Sequence, residues 1–134
     1  MAVHYIPPKY QAAVPYLIVE GADALIAFLK EVFGAELMER HANEAGKVMN
    51  ASVRLDDTVI EVADGNATWK PGASALHVYV SDVDAVYERA LAAGATSTGK
   101  PEVKPYGERG AGVQDRWGNH WFIATYLGQN APQT

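Results

Sequence analysis

Residues 74–95 read SALHVYVSDVDAVYERALAAGA, and residues 13–35 read AVPYLIVEGADALIAFLKEVFGA. Both open with a short run of β-branched and aromatic residues, pass a Gly or Asp signal, and continue with apolar residues at intervals of three and four. In the earlier stretch Leu25, Phe28, Leu29, Val32 and Phe33 form the apolar stripe and Gly34 supplies the stop; in the later one Val83, Val86, Tyr87, Ala90 and Leu91 lead to Gly94. A shift of 61 positions lays Val19 on Val80, Asp23 on Asp84 and Ala24 on Ala85, and a one-residue adjustment brings FGA onto AGA. The chain is therefore read as two copies of one strand–helix design.

Three further strands are expected after each helix: 35–42, 48–56 and 58–65 in the first copy, then 95–106, 110–117 and 119–127 in the second. RLDDTV and DRWGNH carry the hairpin turn residues between them. This predicts an α+β chain of two βαβββ modules, residues 10–65 and 74–127, joined by a Gly/Pro/Asn-rich linker at 66–73 within a single domain 1–134. The polar end GQNAPQT is expected to fray.

With 134 residues the chain fits one domain with a real core. It has no cysteine, so disulfide and thiolate chemistry are excluded. No apolar stretch has the length of a membrane span, and no leader pattern opens the sequence. A cytoplasmic protein is expected. The net charge is −5 with no basic block to neutralise phosphates, which argues against a nucleic-acid partner.

Two such modules in this length resemble the vicinal oxygen chelate superfamily, which holds glyoxalase I, bleomycin-resistance proteins and extradiol dioxygenases. Pro15, Tyr16, Leu17, Gly21, Ala24, Phe28 and Val32 to Leu37, then Asp115, Gly118, Trp121 and Ile123 to Thr125, resemble its PhnB-like branch. The resemblance implies paired curved mixed sheets around a concave cavity with helices outside, and a homodimer with modules paired within or exchanged between chains. It also implies four metal-ligand slots, one on the first and one on the last strand of each module. Glu61 and His77 occupy two of them; their repeat mates are Phe122 and Tyr16, with Val14 the alternative to Tyr16.

Phenylalanine cannot coordinate, and a tyrosine does so only as phenolate. A catalytic cation needs about three N or O ligands, so the expected cofactor is none or a weakly bound divalent metal ion, with Asn50 or His120 as further donors. Strand alternation sets Tyr16 with Ile18, His77 with Tyr79 and His120 with Phe122, and turns Trp121 away. The predicted pocket is ringed by Tyr16, Glu61, His77, Tyr79 and Phe122. The segment 104–121, with Tyr106, Arg109, Arg116 and glycines at 107, 110 and 112, reads as a loop near the cavity mouth, either a lid that meets a polar ligand or turn structure with Arg109 paired to an acid. His4 and His41 read as surface histidines. Two functions follow: a metal-independent binder of a small aromatic or amphipathic organic ligand, or a glyoxalase-like lyase, isomerase or dioxygenase using Glu61 and His77 as metal ligands or as an acid/base pair.

Overall fold

The computed structural model of the chain describes residues 3–128, so the polar end beyond Gly128 lies outside the described residues. The elements run β1 (Tyr16–Val19), α1 (Ala22–Phe33), β2 (Glu36–Ala42), β3 (Val48–Leu55), β4 (Thr58–Asp64), β5 (Ala75–Tyr79), α2 (Val83–Ala92), β6 (Thr96–Lys104), β7 (Glu108–Gln114) and β8 (His120–Tyr126). The fold is α+β, two βαβββ modules each built on a four-stranded mixed sheet. Two compact units divide after Gly72.

In the first unit the strand order is β1-β4-β3-β2, with β1 parallel to β4 and the other pairs antiparallel. Alternation along β1 sends Leu17 and Val19 into the core and Tyr16 and Ile18 to the opposite face. Helix α1 covers the core face with Leu25, Phe28, Leu29 and Val32. Leu25, Leu29 and Val32 are fully buried, and truncating such a leucine to alanine costs about 2–5 kcal/mol. The helix begins at Gly21, whose φ of 95° only glycine adopts freely. Gly21 has no capping side chain, and Asp64 at the end of β4 takes that role: its Oδ1 accepts from the N–H of Gly21 (3.0 Å) and Ala22 (2.8 Å), and its Oδ2 from Val48 (2.8 Å). Burial pushes the Asp64 carboxyl up, but the three backbone bonds and nearby Lys47 outweigh it and hold the pKa below the ordinary value.

The second unit repeats the plan with order β5-β8-β7-β6. Asp82 caps α2 through Ala85 N–H. The β7–β8 turn is organised by buried Asp115, which accepts from the N–H of Trp117 and Asn119, from Asn119 Nδ2 and from Trp121 Nε1 at 2.8–3.0 Å.

Two expectations need correction. The strand predicted at 110–117 is β7 at 108–114, because Glu108 pairs with Tyr126 and Lys104, while Asp115 leaves the ladder to build the turn. Within the segment read as a candidate lid, residues 108–114 are this strand, hydrogen-bonded on both sides to β6 and β8, which removes from that stretch the freedom a lid requires. Arg116 stacks over Trp117 with its guanidinium carbon 4.5 Å from the ring centroid.

Candidate functional site

On each sheet, the face away from its helix carries the chemistry. In the first module β1 and β4 run parallel with Tyr16 beside Glu61, and β3 sets Ser52 across from Glu61. Register partners share a face, so Tyr16, Glu61 and Ser52 stand together. Asn50, two residues from Ser52, joins them: its Nδ2 donates to Glu61 Oε2 at 2.8 Å and to Tyr16 Oη at 3.4 Å. Tyr16 Oη in turn donates to the Met49 carbonyl at 3.4 Å.

Two hollows lie on this open face. One, of about 650 Å³, lies under residues 5–12 and is lined by Tyr5, Tyr10, Glu39, Asn50, Ser52 and Glu61 among others. The arm is fastened by Tyr10 Oη donating to Ser52 Oγ at 2.6 Å and by Gln11, whose amide accepts from Val59 N–H and donates to Val59 O. The other, of about 430 Å³, is lined by Tyr16, Ile18, Met49, Ala63, Asp64, Asn66 and Trp69. Trp69 is brought there by the linker, which returns to β1 through Gly65 N–H on Val19 O and Gly72 N–H on Ile18 O. Asn66 Oδ1 accepts from the N–H of Thr68 and Trp69 and shapes the turn between.

In the second module the same register sets His77 beside Phe122. Gly112 lies across from Phe122 and Gly110 across from Ala124, where the first module has Ser52 and Asn50. The floor beside Phe122 has no side chains of its own at these two positions, and Thr98 Oγ1 lies over Gly112 while Glu108 Oε2 and Lys104 Cε lie over Gly110. A hollow of about 410 Å³ forms there, lined by His77, Thr98, Lys104, Tyr106, Glu108 and Phe122 with both glycines. A Cβ at Gly112 would fall 2.5 Å from Thr98 Oγ1, so only glycine keeps this floor without displacing Thr98. Glu108 is 7% exposed. Its Oε1 accepts from Tyr79 Oη at 3.3 Å and its Oε2 lies 3.5 Å from His77 Nε2. The His77 and Tyr79 rings are 4.6 Å apart. The charge of Glu108, then desolvation, then the hydrogen bond to Glu108 raise the Tyr79 phenol pKa, with a further contribution from Tyr106.

The predicted site residues are thus gathered by module: Tyr16, Asn50 and Glu61 in the first, His77, Tyr79 and Phe122 in the second. His120 shares the open face of β8 with Phe122 but lies at the strand's beginning, beside Ala75 and Gln114. Arg109 is not brought to the open face. It points to the helix side, where its Nε and Nη2 bond the two oxygens of Asp84 at 2.8 and 2.9 Å. Sequence reasoning missed Glu108 and Trp69. For Glu108 a signal existed, since it falls on the same alternation as Gly110 and Gly112; Trp69 stood in a stretch read only as linker.

A divalent metal, which the resemblance implies, needs about three N or O donors. Glu61 has an amide and a phenol beside it, and His77 has one carboxylate and a phenyl ring. Among the described residues no group of three or more His, Asp or Glu side chains is placed to hold a metal ion. These donors do not fit a catalytic divalent site within either module.

Comparison with known proteins agrees with this architecture. The family described as Glyoxalase/Bleomycin resistance protein/Dioxygenase superfamily matches residues 9–123. Uncharacterized protein Mb0911c of Mycobacterium bovis is 32% identical, covering 92% of this chain and 86% of that protein. TnmS3, an antibiotic binding protein from Streptomyces sp. CB03234, superposes with a TM-score of 0.65 at 24% identity, over 87% of this chain and 97% of that one. A PhnB protein from Bacillus cereus has the same TM-score of 0.65 at 16% identity, over 86% and 99% of the two chains. These two likenesses are of fold. Among the described residues no helix is long and apolar enough to cross a membrane.

Proposed function

We propose, for a chain that belongs to the Glyoxalase/Bleomycin resistance protein/Dioxygenase superfamily, that it binds a flat, largely apolar organic molecule without a catalytic metal, and that the hollow beside Trp69 is where it does so. The observation that carries this reading is the lining. Tyr16, Met49 and Trp69 are 47%, 54% and 65% exposed around one concavity, whereas its charged group, Asp64, has both carboxylate oxygens engaged by backbone N–H groups. Apolar rings grouped in a concave site are suited to stacking on a planar ligand. The description of TnmS3 as an antibiotic binding protein supports the same class of ligand. The reading includes a homodimer, which light scattering of the purified protein checks.

The test is a tryptophan-fluorescence titration with acridine and with 1-naphthol. Saturable quenching is expected in the wild type, and isothermal titration, which does not depend on the Trp69 reporter, is expected to show affinity weakened about tenfold in Trp69→Ala and in Tyr16→Ala. Binding that is untouched by both substitutions contradicts the location, and the absence of saturable quenching by either compound contradicts the ligand class.

A second reading, a lyase or isomerase that moves a proton without metal, is favoured by one observation: the His77 imidazole lies at ion-pair distance from Glu108 on the second module's open face. Glu61 is the other carboxylate available for such work, on the first module.

A further inference from the structure

Glu108 is the most buried ionisable side chain on either open face, and nothing in the ligand-binding reading requires it. A carboxylate withdrawn this far from water is costly unless its oxygens are engaged. One oxygen is engaged by Tyr79 Oη, and the other faces His77 Nε2. Lys104 on β6, the remaining charged group lining the hollow, has its Nζ on Glu102 Oε1 at 2.7 Å. Tyr106, from the turn after β6, is the remaining phenol of the lining. Lys104 also feels the charge of Glu108, but among the described residues His77 is the basic group at ion-pair distance from the second oxygen. A carboxylate that accepts from one imidazole nitrogen settles which nitrogen bears the proton of the neutral ring.

We infer that Glu108 is a positioning residue for His77: it keeps the imidazole proton on Nε2, so that Nδ1 is the nitrogen left to accept a hydrogen bond from a ligand in this hollow against Phe122. The ligand class follows from this arrangement: a planar molecule bearing a hydroxyl or N–H donor at its edge, with the ring against Phe122 and the donor toward Nδ1. The inference rests on the open faces being ligand surfaces, but its first test does not require a ligand.

In ¹⁵N-labelled protein, at a pH where the ring is neutral, two-bond ¹H–¹⁵N spectra report which nitrogen of each histidine is protonated; His77→Gln assigns the signal. The wild type is expected to show His77 as the Nε2–H tautomer. Glu108→Leu is expected to turn this into a mixture, and Glu108→Gln, whose amide oxygen still accepts, to retain it. A wild-type ring protonated on Nδ1 overturns the inference even if Glu108→Leu does not fold, and so does a Glu108→Leu spectrum identical to the wild type. A second arm adds 1-naphthol and naphthalene, which differ by one donor. The inference expects 1-naphthol to move the His77 nitrogen signals and naphthalene to leave them; equal effects overturn the proposed ligand class. If the tautomer is as expected while neither acridine nor 1-naphthol quenches Trp69, the ligand-binding reading falls and the role of Glu108 stands.

Discussion

Tyr16 lies beside Glu61 across the parallel β1–β4 seam, and the second module repeats that register with His77 beside Phe122. The duplicated fold thus sets one side chain able to coordinate or move a proton next to one aromatic ring, twice. The two modules do not divide the work alike. Asn50 donates to Glu61 and Ser52 accepts from Tyr10 of the N-terminal arm, whereas at the matching positions Gly110 and Gly112 bring no side chain beside Phe122.

Arg109 serves as a strut. Its two bonds to Asp84 at the start of α2 are matched in the first module by Arg40 on Asp23 at 2.8 Å, and the two aspartates are repeat mates. Arg109→Ala is expected to leave acridine and 1-naphthol affinity within about twofold of the wild type, since the side chain points to the helix side of its own sheet, away from that sheet's open face. Isothermal titration of the variant measures this directly.

Tyr79 reports on Glu108. The carboxylate's charge is the leading cause that raises the phenol above its ordinary value, because a phenolate there is repelled by it. Replacing Glu108 by Gln removes that charge, so the Tyr79 midpoint falls toward about 10. An NMR titration of the Tyr79 ring carbons shows the change; an unaltered midpoint means that the two groups do not interact in solution.

Asp64 links the helix start to acid stability. Its folded-state pKa lies below the ordinary carboxyl value of about 3.9, so its contribution is complete above that value and is lost as pH falls through the lower, folded one. Asp64→Ala removes the acceptor for three N–H groups and is expected to cost about 1–2 kcal/mol at pH 7. Urea denaturation at pH 7 and pH 3 should show the gap to wild type narrowing at the acid end.

Much of the fold was legible because the apolar spacing changes period at fixed places: Leu25, Leu29 and Val32 follow a helical interval, and Leu17 and Val19 a strand interval. The repeat offset also carried the register, since the same spacing joins Tyr16 to Glu61 and His77 to Phe122. What escaped was long-range and chemically nonspecific in sequence. Gln11 acts like a strand neighbour to Val59 through a side-chain amide, Tyr10 finds Ser52 across 42 positions, and Trp69 reaches a hollow only because the linker folds back on β1. Glu108 was hidden because the strand was expected to begin at Gly110 and the residues before it read as a loop, although Glu108 pairs with both Lys104 and Tyr126.

Stabilisation by mass action separates an aromatic-ligand surface from a metal centre in one assay. The thermal midpoint of the purified protein is to be followed with Zn²⁺, Ni²⁺, Mn²⁺ and Fe²⁺ and, separately, with acridine, in the wild type, Trp69→Ala, Glu61→Gln and His77→Ala. The account predicts a concentration-dependent rise with acridine that Trp69→Ala diminishes, and no such rise with any of the four cations. Near-stoichiometric metal in the purified protein, or a cation-dependent rise abolished by Glu61→Gln or His77→Ala, would contradict it.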